Sequence, residues 1–435
     1  MTTTPLQPVR PARGGRGGRR PGTVYVVVLG LAALVATIAI GAVATVRTRN
    51  RAANLEDAVG DARAYAWSAV ELGRLEIANN PSWRSQYRNA ANGLWFANRA
   101  LDRGTIALTV VNPSGALDRA DTDPVVVTGT GVRGPARQMA RVTLNPVTTD
   151  VTCLDSAAFA VGGVSLGSAT INGAGLVSSN GAITATNTKM WLNAEAAGLV
   201  TGITYNGTMK SLAGARTYPS ASSVFGHYVA NGTAIPYTSF PAITTGRGIN
   251  GTVLSPTNNP FGGGTNASGI YVVDCGGQSF IVKSARIVGT LVLLNAGPDT
   301  AVQTSVNWAP AVANYPCLLV QGPLELAFNA TELSEGTVKV NLNPAGTPYP
   351  WGSGGTTDAD TSGKYPSTID GLVYASGAVN TSGAPSVDQL ITGGTLSTVG
   401  TLTLNYVNTY QASPPPGFYT VTMTVAPGSW RPYSD

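Results

Sequence analysis

The sequence predicts an α+β protein. An N-terminal helix crosses a membrane and continues as a stalk, a small antiparallel sheet packs beside it, and a long mainly-β region follows. That region is expected to be a right-handed parallel β-helix, with a β-sandwich as the alternative. Three observations carry the prediction. Residues 23–46 form one apolar run without a charged side chain. Charged residues make up 11% of the chain, against roughly 25% in an average soluble domain. Glycine supplies 53 of the 435 residues, and from about Val151 onward it punctuates short runs rich in Val, Ile, Leu and Thr, the texture of short strands joined by tight turns. The chain then divides into a basic leader (1–22), a membrane span (23–46), a stalk with a sheet (47–148) and an exported β-rich region with a closing segment at its C-terminus (149–435).

The span comes first. At about 1.5 Å per residue the run makes a helix about 36 Å long, enough to cross a hydrocarbon core of about 30 Å. A signal peptide has an apolar region of only about 7–15 residues followed by a small-residue cleavage site, so a retained anchor in the lipid bilayer is expected. Arg10, Arg13, Arg16, Arg19 and Arg20 precede the run, and Arg47, Arg49 and Arg51 follow it. The denser upstream cluster puts the N-terminus in the cytoplasm and the bulk of this single-pass chain outside, periplasmic or extracellular. Removing these eight charges from the net +5 leaves −3 on residues 52–435, which carries no nucleic-acid footprint.

Beyond the span, Leu55, Val59, Ala62, Ala66, Ala69 and Leu72 recur at helical spacing. The helix is expected to run to about Ile77, where Asn79-Asn80-Pro81 stops it, since proline lacks the backbone donor and restricts the residue before it. Strand-like runs follow at Leu94–Ala100, Thr105–Val111, Val125–Thr128 and Arg137–Leu144. Asp102-Arg103-Gly104 and Asn112-Pro113-Ser114-Gly115 supply turns between them.

A basic leader ending at Gly22, an apolar helix leaving the membrane as an amphipathic stalk, and a small antiparallel sheet together resemble a type IV pilin-like protein. The segment from Ala62 to Arg84, ARAYAWSAVELGRLEIANNPSWR, is similar to the PilX-type minor pilin N-terminal family, over about residues 13–145. The resemblance implies that a prepilin peptidase cuts after Gly22, leaving Thr23 as the first residue. It also implies pilin-like or secretion-assembly proteins as partners. Major pilins carry a glutamate at the fifth mature position, where this chain has Val27; that departure implies a minor position in an assembly.

The β-rich region reads as short glycine-punctuated strands, such as Gly175–Gly181, Gly269–Asp274, Gly289–Asn295 and Asp370–Gly377. Such strands suit stacked rungs, each burying small or aliphatic side chains on the next. No strict period is evident. The proline-rich end, Ser413-Pro-Pro-Pro-Gly-Phe418 and Pro427-Gly-Ser-Trp-Arg431, is expected to cover the last rung, whose backbone groups would otherwise be unpaired.

Candidate chemistry is sparse. The single histidine, His227, sits in an apolar and aromatic run and is expected to be structural. Gly129-Thr-Gly131-Val-Arg-Gly134 has dinucleotide-motif spacing, but Pro135 and a following strand pattern indicate a turn. Asp358, Asp360 and Ser362, with Gly363 next, match the first half of a Ca²⁺ loop; Ile369 stands where the closing glutamate belongs. No other cofactor is indicated. Of the three cysteines, Cys275 and Cys317 form the preferred disulfide, with buried free thiols as the alternative. The expectation is a non-enzymatic, structural or adhesive envelope component, binding a polysaccharide or surface ligand. The alternative is a membrane-tethered carbohydrate-active or polysaccharide-binding β-helix protein.

Overall fold

The computed structural model describes residues 21–80, 83–119, 121–205, 207–344 and 357–433. Residues 1–20 of the expected leader lie outside them. Helix α1 is continuous over Pro21–Asn79. Its first part, Val24–Val46, is exposed along its whole length, and it is the one helix among the described residues long and apolar enough to cross a membrane. Its second part buries Ala58, Ala62, Tyr65, Ala66, Ala69, Val70 and Ile77, a stripe at the 3.6-residue period. Leu55, expected on that stripe, stays in solvent.

The stripe packs on an antiparallel sheet of β1 (Leu94–Leu101), β2 (Gly104–Val111), β3 (Val125–Arg133) and β4 (Ala136–Asp150). Small residues on both sides bring the layers close. A Cβ on Gly129 or Gly131 would overlap the carbonyls of Ala66 and Ala62, and one on Gly104 would also collide with the Tyr65 ring. The Gly-x-Gly spacing therefore serves helix-on-sheet packing, and Gly134 occupies the β3–β4 turn with positive φ. Arg133 and Asp61 add an ion pair between the layers.

The C-terminus departs from expectation. Instead of covering a last rung, Tyr419–Val425 pairs antiparallel with the distal half of β4, and Arg431–Tyr433 pairs with its proximal half. The antiparallel sheet thus has six strands, two of them from the end of the chain.

Between β4 and Tyr419 lies a closed, barrel-like sheet of 21 strands, parallel throughout except for the small Ala242–Ile243/Gly246–Asn250 hairpin. A sandwich of two antiparallel sheets is not what the pairing shows. Over much of the sheet a strand pairs with the second strand onward, so that successive turns of chain lie on one another: Ala158–Ala160 on Leu176–Ser179 on Asn193–Ala196, and Gly163–Ala174 on Ile183–Met190 on Val200–Tyr205.

The order of coils does not follow the chain. The chain enters mid-stack at Ala158, winds out to Met209–Lys210 at one end, crosses over, restarts at the other end at Thr233–Ala234, and winds back. The last coil, Ser386–Thr392 and Thr395–Asn405, pairs with the first, Ala158–Ala160 and Gly163–Ala174. The crossover carries a helix, Ala221–Asn231, whose Val224, Phe225 and Tyr228 cover the outer side chains Ile270, Val272, Val292, Leu319, Tyr374 and Ile391. Packing this second apolar layer offsets the length of the crossover. The inner side chains of the coils form one core from Ala157 to Leu404.

One corner of the stack is a file of glycines. A Cβ on Gly181 would meet the Gly162 carbonyl at 2.7 Å, one on Gly198 the Gly181 carbonyl at 3.0 Å, and one on Gly377 the Gly322 carbonyl at 2.7 Å. Gly162 in turn donates its N–H to the Gly394 carbonyl at 2.8 Å, across the junction of last and first coils.

Candidate functional site

The chemically distinctive group lies in an excursion, residues 329–367, between the strands Leu324–Phe328 and Thr368–Ala375. Leu333–Ser334 pairs with Lys364–Tyr365, and Leu333, Leu342 and Tyr365 pack with Val253 of the barrel in a small core. The helix Glu335–Val338 begins there, and Glu335 is fully buried.

Burying a carboxylate is costly unless donors surround it. The Leu342 N–H and the Tyr365 hydroxyl donate to Glu335 Oε1 at 2.6 and 2.8 Å, and the Gly363 N–H donates to Oε2 at 2.8 Å. Arg286, also buried, reaches into the same excursion and donates to the Leu342 carbonyl at 2.9 Å. Burial lowers the Arg286 pKa and raises that of Tyr365, whose hydrogen bond to Glu335 adds to the rise.

The predicted Asp358 and Asp360 come together with Glu335: one carboxylate oxygen from each lies within 4.8 Å of the others. Ser362 is turned to another use. Its N–H and hydroxyl donate to Asp360 Oδ1 at 2.8 and 2.7 Å, which lowers the Asp360 pKa. Ile369 is fully buried in the barrel core, so the second half of a Ca²⁺ loop is replaced by wall. The three carboxylates are an all-oxygen set of the kind a hard cation takes, but Glu335 is committed to protein donors. Sequence reading missed Glu335 because nothing local ties it to residues more than twenty positions downstream. Gly363 makes room for the buried carboxylate: a Cβ there would stand 2.8 Å from Glu335 Oε2.

The remaining candidates are scattered. Cys275 and Cys317 are not bonded: all three cysteines are free and buried, which corrects the expected disulfide. Cys317 packs against Gly371, whose added Cβ would meet its sulfur at 2.5 Å, so apolar packing and not cross-linking uses the thiol. His227 lies on the crossover helix with Nε2 3.4 Å from the Tyr315 hydroxyl, and burial lowers its pKa. Gly22 and Thr23 fall in the first turn of α1.

No family model and no curated protein matches this chain. Among solved structures it is similar to the competence-associated pilin ComZ from Thermus thermophilus, at 10% identity over 86% of this chain and 97% of that one, with a TM-score of 0.32.

Proposed function

We propose that this protein is a membrane-anchored, pilin-like minor component of a type IV pilus or type II secretion-like assembly, and that its exported part is a right-handed parallel β-helix serving a structural or adhesive role. The observation that carries the reading is the division of α1. One unbroken helix is bare and apolar over Val24–Val46 and then seats its small-residue stripe on a four-stranded antiparallel meander. A bare apolar helix without polar relief needs lipid or other apolar helices around it. Val27, at the fifth position after Gly22, leaves no carboxylate there to pair with a neighbouring subunit, which favours a minor position over the filament body. The long coil stack held outside offers extended faces to a polysaccharide or surface ligand.

The test is mass analysis of the N-terminus of protein purified from membranes, with identification of co-purifying proteins. A chain beginning at Thr23 and bringing assembly proteins with it supports the reading. An uncut chain in the presence of a prepilin peptidase, purified without such partners, rejects it and leaves a single-span anchored β-protein.

A further inference from the structure

Two parts of this chain, α1 with its antiparallel sheet and the coil stack, have apolar cores of their own. Leu108, Val127 and Val142 cluster with Val70 of α1, while Val224, Phe225 and Tyr228 of the crossover helix cluster with the outer side chains of the stack. Parts joined without a large apolar interface move relative to one another by default. What joins these two is a ribbon of two strands. β3 reaches only to Leu144 of β4; past that point Asn145–Asp150 pairs with Tyr419–Val425, and neither segment pairs with a third strand among the described residues. Asn145 and Val147, Thr148, Thr149 and Asp150 are exposed. The hydroxyls of Thr420, Thr422 and Thr424 donate across the ribbon to the carbonyls of Thr149, Val147 and Asn145 at 3.3, 3.4 and 3.3 Å, which ties its strands to each other and to nothing else. A two-stranded ribbon is marginal by itself, so it cannot fix the angle of the stack.

Beside the ribbon, a cleft of about 350 Å³ separates Ile77, Trp83 and Met423 of the sheet part from Tyr218 and Ser220 of the stack. Asp121, on the β2–β3 connection, reaches across it. Its Oδ2 accepts from the Ser222 hydroxyl at 2.9 Å and lies 3.3 Å from that of Ser220. Ser220 caps the crossover helix, accepting from the Ser223 N–H at 3.2 Å, so the carboxylate stands at a helix N-terminus, the end that favours negative charge. Arg84 holds it from behind. The buried guanidinium donates to the carbonyls of Leu117, Asp121 and Asp123 at 2.9, 3.2 and 2.6 Å, and its Nε is 4.0 Å from Asp121 Oδ1. The connection is thereby anchored on the sheet side of the cleft, and the serine contacts are where the cleft can part.

We propose that the coil stack is carried on a hinge, the ribbon Asn145–Asp150 with Tyr419–Val425, and that Asp121 is the latch that holds it at one angle. With the latch closed, the ribbon and the serine contacts brace the stack against the sheet from two sides. A pull on the stack, or a ligand that draws the crossover helix away, separates Asp121 from Ser220 and Ser222 first, because side-chain bonds at the edge of water yield before a strand ladder. The stack then swings about Asp150 and Tyr419 with both cores intact, a hinge motion absorbed by a few residues at the ends of elements.

The test places spin labels on Gly60→Cys of α1 and Thr186→Cys of the stack, both exposed positions, while the native thiols are buried. Double electron–electron resonance on the full chain in detergent reads the distance between them. With the latch intact the distribution should be single and narrow. Asp121→Ala and, from the other side of the cleft, Ser222→Ala should each widen it at least twofold, with the melting temperature unchanged. A distribution that stays narrow in either variant overturns the proposal, as does one already as wide with the latch intact. A widening that comes only with a lowered melting temperature overturns it too, since the stack would then move by unfolding and not by a hinge.

Discussion

Gly129 of β3 lies so close beneath Ala66 of α1 that any side-chain carbon on it would overlap the Ala66 carbonyl oxygen. Backbone cannot yield as the end of a flexible side chain can, so Gly129→Ala must push the helix off the sheet. Overpacking of this kind costs about 1–3 kcal/mol, and Gly131→Ala, against Ala62, should cost a similar amount. Gly60, on the same helix with nothing near it, is the control. Gly60→Ala should stabilise by up to about 1 kcal/mol through helix propensity. Urea unfolding of the three variants checks both signs.

Asp150 and Tyr419 are direct cross-strand partners, so residues 151–418 leave and re-enter the antiparallel sheet at one place. That region, expressed alone, should fold to a soluble protein with a β-type far-UV spectrum. Joining Asp150 to Tyr419 by a short turn should leave α1 and its sheet folded. A spectrum dominated by helix or disorder for the excised region would reject this modularity.

Glu335 satisfies three donors inside the excursion. Glu335→Ala strands the Leu342 and Gly363 N–H groups and the Tyr365 hydroxyl in a buried site, and each unsatisfied donor costs about 1–3 kcal/mol. The expected result is local opening, seen as accelerated amide exchange over residues 333–343 and 362–366, with the barrel strands still protected.

Asp388 and Asp370 lie on neighbouring coils, with Cys317 and Tyr410 beside them. Burial, and then the Asp370 charge, push the Asp388 carboxyl up to about 7. An unfolded aspartate titrates at about 3.9. Between these values the folded chain holds a proton that the unfolded chain has released, so the contribution is full at low pH and is lost as pH rises toward about 7. Asp388→Asn should remove this fall and be more stable than the wild type at about pH 8, as measured by urea midpoints on both sides of the window.

All three thiols are buried. Burial raises each of them, Cys275 to about 12, so the reactive thiolate is scarce. A thiol reagent should label the native protein slowly and titrate three thiols after denaturation. A count of one would restore the Cys275–Cys317 bond.

Much of the helix and sheet was legible because its causes are local. The charge-free run, the Asn79–Pro81 stop and the turn at Asp102–Gly104 act on neighbouring residues, and the structure places α1, β1 and β2 within a few residues of their expected limits. The glycine corner was legible only in part. Gly162, Gly181 and Gly198 recur at nearly even spacing, but the crossover before Gly277 and the excursion between Gly322 and Gly377 break the rhythm.

From the sequence alone came the long apolar helix, its continuation packed on a sheet, the antiparallel strands and the β-rich character of the rest, because charge, periodicity and backbone restriction are written residue by residue. Tertiary structure alone decided that the last coil meets the first, that the C-terminus joins β4, that Glu335 stands with Asp358 and Asp360, and that Cys275 and Cys317 remain apart. Those outcomes depend on which edges and apolar faces find each other across the fold. A β-edge pairs with whatever strand is nearest in space, and distance along the chain enters only through the modest entropy of closing the loop.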